Sequence, residues 1–263
     1  MTNSLENLVN VIPEPVYFNP PNFLPVVLLN HPVNRETNEF DHRFSGTDSP
    51  ETFEKNLKTQ PDDWHYRTKE IEYKINSNGY RSSEWKDIDW KEAVVILGCS
   101  NVLGIGLAED ETISHQLSLL MDRPVVNLGG PGVSFDFSFY NSIILSEYYP
   151  TPYAVIDLWT GIDRCTYFDN TEIKNCGIWE EHPYFTEYIK NDTHSMLRAK
   201  FISMANKNLW KSRCRYYSAS FFDRSAYYTD SDWLQIDNQA RDLIHPGRKN
   251  AKDMARLIAR NIS

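Results

Sequence analysis

The sequence predicts an α/β fold in which helices cover both faces of a parallel β-sheet. From residue 93 onward, short apolar segments alternate with longer amphipathic segments, which is typical of successive strand–helix units. The first 92 residues show no such alternation and hold eight of the 14 prolines. We therefore predict an irregular N-terminal extension or small subdomain over residues 1–92, and the main domain over residues 93–263.

Four segments of the main domain are predicted strands. Ala93–Leu97 (AVVIL) is a continuous apolar run, as expected of a parallel strand that is buried on both faces. The segments Pro124–Asn127 (PVVN), Tyr153–Leu158 (YAVIDL) and Arg213–Ser218 (RCRYYS) are the second, third and fourth strands. Short apolar or aromatic runs of this length favour strands over helices.

The intervening segments are predicted helices, and one further strand is predicted before the main domain. Apolar residues recur at helical spacing in four segments, which are Glu109–Met121, Ser134–Tyr148, residues 195–211 and Gly247–Asn261. In the extension, alternating Ile71, Tyr73 and Ile75 indicate a strand that ends at an Asn78–Gly79 turn.

The charge and the apolar segments exclude several classes of protein. A net charge of −9 with no run of Lys or Arg argues against a nucleic-acid partner. No apolar stretch approaches the roughly 20 residues that a membrane-spanning helix needs, so no membrane partner is expected. The start, MTNSLENLVN, lacks the features of a signal peptide. We expect a cytoplasmic or particle-associated protein with reduced cysteines; no oligomeric state is predicted.

Polar residues that could perform chemistry follow the predicted strands. Ser100 follows the first strand, residues 128–132 (LGGPG) follow the second, residues 159–164 (WTGIDR) follow the third, and Asp242 and His245 precede the last helix. Because the carboxyl ends of parallel strands meet at one edge, we expect these segments to lie together. A hydroxyl, an imidazole, a carboxylate and backbone amides are what acyl transfer requires. Without Asp242 and His245, Ser100 would be more typical of a residue that caps the helix or turn after the strand.

The order of these segments resembles that of the SGNH, or GDSL, family of serine hydrolases over roughly residues 75–263. Gly98-Cys99-Ser100 is similar to the family's first block, Gly-Asp-Ser. The last block, Asp-x-x-His-Pro, is matched outright by residues 242–246. Gly132 matches the glycine of the second block, with Gly130 as the alternative.

The resemblance implies a fold, a set of site residues and an activity. The fold is a flavodoxin-like three-layer α/β/α arrangement. Ser100 is the implied nucleophile, His245 the base and Asp242 the carboxylate that orients it. The amides of Ser100 and Gly132 are the implied oxyanion donors.

The chain departs from the family's pattern at two positions. Cys99 replaces the Asp of the first block, beside the nucleophile. In the third block, Asp163 stands where the family has an Asn that donates to the oxyanion, and an ionised carboxylate only accepts hydrogen bonds. We expect Thr160 to donate instead, with Arg164 and the amide of Gly161 as alternatives.

The implied activity is hydrolysis of a small acyl ester, for instance an O-acetyl group on a carbohydrate, without a metal or another cofactor. The sequence contains no HExxH, no dinucleotide fingerprint and no Walker-type GK[ST], and Val102 stands where the α/β-hydrolase elbow requires Gly. Two alternatives stay open. One is an O-acyltransferase, and the other is a non-catalytic structural or binding protein that retains the scaffold.

Overall fold

A computed structural model describes residues 42–169, 172–179, 187 and 191–263. Within these ranges, five parallel strands form one sheet in the order β2-β1-β3-β6-β7, and β4 and β5 form a separate antiparallel hairpin. The predicted parallel sheet is therefore confirmed. The strands are β1 (Val94–Gly98), β2 (Val125–Gly129), β3 (Ala154–Trp159), β4 (Cys165–Asp169), β5 (Glu172–Cys176), β6 (Arg215–Ser220) and β7 (Asp232–Trp233).

Helices lie between these strands and in the N-terminal segment. The α-helices of the described ranges are α1 (Pro50–Thr59), α2 (Ser100–Leu103), α3 (Ile113–Met121), α4 (Phe135–Tyr148), α5 (Asp192–Trp210), α6 (Asp223–Thr229) and α7 (Arg248–Ile262). Three 3₁₀ turns add His65–Arg67, Trp85–Asp87 and Glu109–Glu111. Over the same ranges, no helix has the length and apolarity that crossing a membrane would require.

The side chains of β1 alternate between two hydrophobic cores, one on each face of the sheet. Val94 and Ile96 pack in the core that includes residues of α3 and α7, and Val95 and Leu97 pack in the core that includes residues of α4. Successive strand residues point to opposite faces, so a strand covered on both sides is apolar at every position. The three-layer α/β/α arrangement is thus confirmed.

The predicted strand around Tyr73 is wrong, although its turn is present. Residues 71–76 have no regular secondary structure. The alternation reflects burial instead, since Ile71 and Tyr73 are both fully buried. After this segment, the amide of Gly79 donates to the carbonyl of Asn76 at 2.9 Å and closes the predicted turn.

Two predicted elements begin at least two residues later than the sequence pattern indicated. The helix expected from Glu109 starts at Ile113, because the Thr112 hydroxyl caps it by accepting from the His115 amide at 3.2 Å. The fourth strand begins at Arg215, because the amide of Cys214 still donates to the Trp210 carbonyl at the end of α5.

Helix α1 was not predicted, because it has few apolar residues to reveal a period. Its start follows local rules: Ser49 caps it by accepting from the Thr52 amide at 3.2 Å, and Pro50 occupies the first turn.

The described part of the N-terminal segment also contacts residues 93–263 through the buried guanidinium of Arg81. This group donates to the carbonyls of Gly104 at 2.8 Å and Leu107 at 3.0 Å.

Candidate active site

Ser100 lies in the tight turn from β1 into α2, at the carboxyl edge of the sheet. It is the first residue of α2, so its amide is among the first-turn amides that have no partner inside the helix. The helix packs directly on β2 because Gly129 carries no side chain. A Cβ at Gly129 would lie 2.3 Å from the Leu103 amide nitrogen. Cys99, the departure from the first block, is a buried core residue.

His245 connects Ser100 to Asp242 through two short hydrogen-bond distances. Its Nε2 lies 2.8 Å from Ser100 Oγ, and its Nδ1 lies 2.6 Å from Asp242 Oδ2. One tautomer satisfies both contacts: Nδ1–H donates to the carboxylate, and the serine hydroxyl donates to Nε2. The three side chains predicted from the sequence are therefore adjacent, in an order that allows the imidazole to take the serine proton.

Every oxygen of the Asp242 carboxylate has donors. Oδ1 accepts from the amides of Ile244 and His245, both at 3.1 Å, and Oδ2 accepts from the Thr47 hydroxyl at 2.6 Å. Burial raises the pKa of this carboxyl, but the hydrogen bonds and charge of His245 and the hydroxyl of Thr47 outweigh it, so the pKa lies below its usual value. The carboxylate is thus held ionised beside the imidazole.

The loop that carries Asp242 and His245 contains one residue in the left-handed region. Leu243 has φ of 60°, which is uncommon for a residue with a branched side chain. The turn is closed by the Leu243 amide donating to Ala240 O at 3.0 Å and by the Ala240 amide donating to His245 O at 2.9 Å. Functional sites often hold such conformations, which cost about 1–3 kcal/mol each.

The N-terminal segment contributes contacts that sequence reasoning missed. Asp48 and Arg241 form a buried, two-pronged ion pair, with Nε–Oδ1 at 2.8 Å and Nη2–Oδ2 at 2.7 Å. Asn56 donates to the Arg241 carbonyl at 2.9 Å. Thr47 and Asp48 lie 195 and 193 residues before their partners, and no sequence pattern marks either of them.

The glycine loop after β2 favours Gly132 over Gly130 as an oxyanion donor. The Gly130 amide already donates to the Gly98 carbonyl at 3.1 Å, so it is not available to a ligand. Gly132 has φ of 68°, a conformation that glycine adopts without strain. A Cβ there would lie 3.5 Å from the ring of Trp179, which places that ring next to the loop.

In the loop after β3, Thr160 is a candidate hydrogen-bond donor, and Asp163 is not. Thr160 is buried, and its hydroxyl has no hydrogen-bond partner among the described residues. It lies two residues past Leu158, the partner in register of Gly98, and Ser100 lies two residues past Gly98. The Asp163 carboxylate folds back on its own loop, where a Cβ at Gly161 would be 2.3 Å from its Oδ1.

Arg164, the first alternative to Thr160 as the missing donor, lies over two aromatic rings. Its guanidinium carbon lies 5.3 Å from the centre of the Trp179 ring and 5.9 Å from that of Phe222.

No cluster of three or more His, Cys, Asp or Glu side chains suited to a metal ion occurs in the described part of the chain.

Comparisons with known proteins find similarity only among solved structures. No family model and no curated protein sequence matches the chain. A structure assigned to the G-D-S-L family of lipolytic proteins, from Desulfitobacterium hafniense DCB-2, is similar at 14% identity and TM-score 0.40, over 65% of this chain and 99% of that one.

Two carbohydrate esterases are also among the similar structures. One is a carbohydrate esterase family 2 enzyme with a carbohydrate-binding domain from Corynascus thermopiles (Myceliophthora fergusii), at 10% identity and TM-score 0.42, over 65% of each chain. The other is the acetyl xylan esterase Est2A from Butyrivibrio proteoclasticus, at 8% identity and TM-score 0.39, over 65% of this chain and 63% of that one.

Proposed function

We propose that this chain is a serine esterase that hydrolyses a small acyl ester through Ser100, His245 and Asp242. The observation that carries the proposal is the continuous hydrogen-bond path from Asp242 Oδ2 through His245 to Ser100 Oγ, with distances of 2.6 and 2.8 Å. These three residue types in this order constitute the hydroxyl nucleophile, base and orienting carboxylate of acyl transfer.

In the proposed mechanism, His245 Nε2 takes the Ser100 proton while Oγ attacks the ester carbonyl. Asp242 holds the imidazole in the tautomer that leaves Nε2 free to accept, and it stabilises the imidazolium that forms. The imidazolium then protonates the leaving alcohol as the tetrahedral intermediate collapses to an acyl-serine. A water molecule, deprotonated by the same imidazole, releases the acid and restores Ser100.

The negative charge on the tetrahedral intermediate needs donors at the same edge of the sheet. We assign this role to the amides of Ser100 and Gly132 and to the Thr160 hydroxyl. The first-turn position of Ser100, the engaged amide of Gly130 and the unpartnered Thr160 hydroxyl support the assignment. Each such donor contributes about 100- to 1,000-fold to turnover in serine hydrolases.

We propose an O-acetylated carbohydrate as the substrate class. Trp179 supports this choice, since the residue is 48% exposed and its ring lies beside the Gly132 loop. An exposed aromatic ring beside this loop offers a flat apolar face to a sugar ring.

The test is labelling of the full chain with a fluorophosphonate, read by intact mass and peptide mapping. We expect one label per chain, on Ser100, and no label on Ser100→Ala. Ser146→Ala is the matched control, because that hydroxyl binds the Ile143 carbonyl within α4, and it should label like the wild type. Labelling that survives Ser100→Ala contradicts the assignment. An unlabelled wild-type chain favours the non-catalytic alternative, and acyl transfer to a sugar in place of water favours the acyltransferase.

A further inference from the structure

Thr47 contacts the catalytic pair from a part of the chain that the family resemblance does not cover. Its hydroxyl donates to Asp242 Oδ2 at 2.6 Å and lies 3.4 Å from His245 Nδ1. The same carboxylate oxygen receives His245 Nδ1 at 2.6 Å. Two donors thus converge on one oxygen, from opposite ends of the sequence.

We propose that Thr47 is a positioning residue that fixes the rotation of the Asp242 carboxylate and thereby the plane of the His245 ring. This inference rests on the proposed function. The carboxylate can rotate about its bond to the rest of the side chain only if its donors allow it. The backbone amides of the loop hold Oδ1, and the Thr47 hydroxyl holds Oδ2 at the position where the imidazole meets it.

The position of Thr47 is itself fixed by its neighbours. Ser45 and Asp48 exchange two backbone hydrogen bonds, at 2.9 and 3.1 Å, and so close the turn that presents Thr47. The next side chain, Asp48, makes the buried ion pair with Arg241, the residue directly before Asp242. Tyr73 locks this pair by donating to Asp48 Oδ2 at 2.7 Å. Adjacent residues of the turn, Thr47 and Asp48, therefore contact adjacent residues of the Asp242 loop and hold the two segments together.

Thr47→Val is the informative substitution. Thr47 is exposed on its outer side, so a small residue would let water reach the carboxylate and replace the hydroxyl. Valine keeps the shape and the exclusion of water but removes the donor. The Asp242 oxygen would then lose one hydrogen bond to a charged group, and the imidazole would lose part of its orientation.

The test compares Thr47→Val with Thr47→Ser, which restores the hydroxyl. We expect Thr47→Val to lower kcat and the rate of fluorophosphonate labelling roughly 10-fold, with KM little changed, and Thr47→Ser to recover most of the loss. Thr59→Val is the matched control, because it removes a threonine hydroxyl bonded to the Asn56 carbonyl in the same segment, and it should leave both rates unchanged.

The outcomes separate this inference from the proposed function. Wild-type labelling on Ser100 together with an unchanged labelling rate in Thr47→Val overturns the role of Thr47 alone. An equal loss in Thr47→Val and Thr47→Ser also overturns it, because the hydroxyl would then not be the cause. An unlabelled wild-type chain overturns the proposed function first.

The β4–β5 hairpin holds a pair of opposed cysteines. Cys165 and Cys176 are direct partners in the antiparallel register, and both are buried. Their sulfur atoms lie 2.8 Å apart. Directly opposed residues of antiparallel strands have Cα atoms about 4.5–5.5 Å apart, within the range of about 4.4–6.8 Å that a disulfide spans.

We infer that Cys165 and Cys176 are a site of oxidative modification that forms a disulfide when the chain meets hydrogen peroxide. In the first step, the Cys165 thiolate attacks a peroxide oxygen, an S–O bond forms, and hydroxide leaves. In the second, the Cys176 sulfur attacks the resulting sulfenic acid, the S–S bond forms, and a second hydroxide leaves. The two thiol protons neutralise the hydroxides, so two thiols and one peroxide give one disulfide and two waters.

The surroundings of Cys165 favour it as the attacking thiol. Its hydrogen bond with the Cys176 thiol and the charge of Arg198 outweigh burial and lower the pKa of Cys165 to about 7. The disulfide would close the hairpin between the loop that ends at Arg164 and the segment that carries Trp179. It would therefore connect two parts of the candidate active site.

The test oxidises the reduced full chain with hydrogen peroxide, alkylates it in denaturant and measures its mass. We expect two of the four cysteines to escape alkylation, a mass loss of about 2 Da before alkylation, and a cross-linked peptide joining Cys165 to Cys176. The double variant Cys99→Ser/Cys214→Ser should behave like the wild type, and Cys165→Ser should not cross-link. Four alkylated cysteines, or added oxygen on Cys165 without a cross-link, overturns the inference.

Discussion

Asp242, in the loop before α7, and Asp157, in β3, both have fully buried side chains, yet their surroundings shift their pKa values in opposite directions. Asp242 has a donor on each oxygen and an imidazole beside it, and its pKa is lowered. Asp157, in the middle of β3, has a pKa raised to about 7 by burial, which the hydrogen bonds from Tyr216 and Asn206 only partly offset.

The difference between the two carboxyls lies in their partners, since both are removed from water. Asp157 Oδ2 accepts from Asn206 at 2.6 Å and from the Tyr216 hydroxyl at 2.5 Å, while its Oδ1 has no partner among the described residues. A buried carboxylate stays ionised only when donors or an opposite charge replace its lost hydration. The loop of Asp242 supplies both, whereas Asp157 receives only neutral donors, from α5 and β6, on one oxygen.

Removing the negative charge of Asp242 should greatly reduce the rate of ester hydrolysis. We expect Asp242→Asn to fold and to lower kcat by roughly 10,000-fold, because the amide favours the wrong imidazole tautomer and no longer stabilises the imidazolium. The measurements are ester hydrolysis kinetics and circular dichroism.

Asp163→Asn is the matched control, because the Asp163 carboxylate lies against Gly161 in its own loop. We expect Asp163→Asn to keep the full wild-type kcat. A near wild-type rate in Asp242→Asn would contradict the role of Asp242 and would mean that another group orients His245.

The sequence predicts those parts of the site whose residues lie close together along the chain. The Asp-x-x-His spacing lies within one loop, and Ser100 follows a strand that its apolar run identifies, so both could be predicted. Thr47 could not, because its contact with Asp242 joins residues 195 apart, and such contacts depend on how the N-terminal segment packs.

The same limit applies to the fold. The central strands could be predicted because burial on both faces makes them continuously apolar. The β4–β5 hairpin could not, since its cysteine pair and polar residues give no alternating pattern. Helix α1 is recognisable only from its cap, Ser49-Pro50, after the fact. The boundary at residue 93 stays a prediction.

Replacing Asp157 should remove a pH dependence of stability that Asp242 does not share. A carboxyl whose pKa is raised in the folded state stabilises the fold below its unfolded pKa of about 3.9, and this contribution is lost as the pH rises through about 7. Asn keeps an acceptor for Tyr216 and Asn206 and cannot ionise.

As the pH rises from 4 to 7, we therefore expect the free energy of unfolding of the wild type to fall relative to that of Asp157→Asn. The expected difference is a few kcal/mol, on the order of 1.4 kcal/mol per unit of pKa shift. Urea unfolding at several pH values measures the difference. Parallel curves for the two proteins across this range would show that Asp157 does not titrate there.

Thr160 lies three residues past Asp157, where the same strand leaves the core and reaches the candidate site. Like Asp157 Oδ1, its buried hydroxyl has no partner among the described residues, and a buried polar group without a partner costs about 1–3 kcal/mol. For Asp157 this cost accompanies a raised pKa; for Thr160 we propose that it is recovered when the oxyanion forms.

Thr160→Val keeps the shape of the side chain and removes the donor, so kcat should fall roughly 10-fold or more while KM changes little. Unchanged kinetics would remove Thr160 from the site, and a gain in kcat from Asp163→Asn would then assign the donor to the Gly161–Arg164 loop.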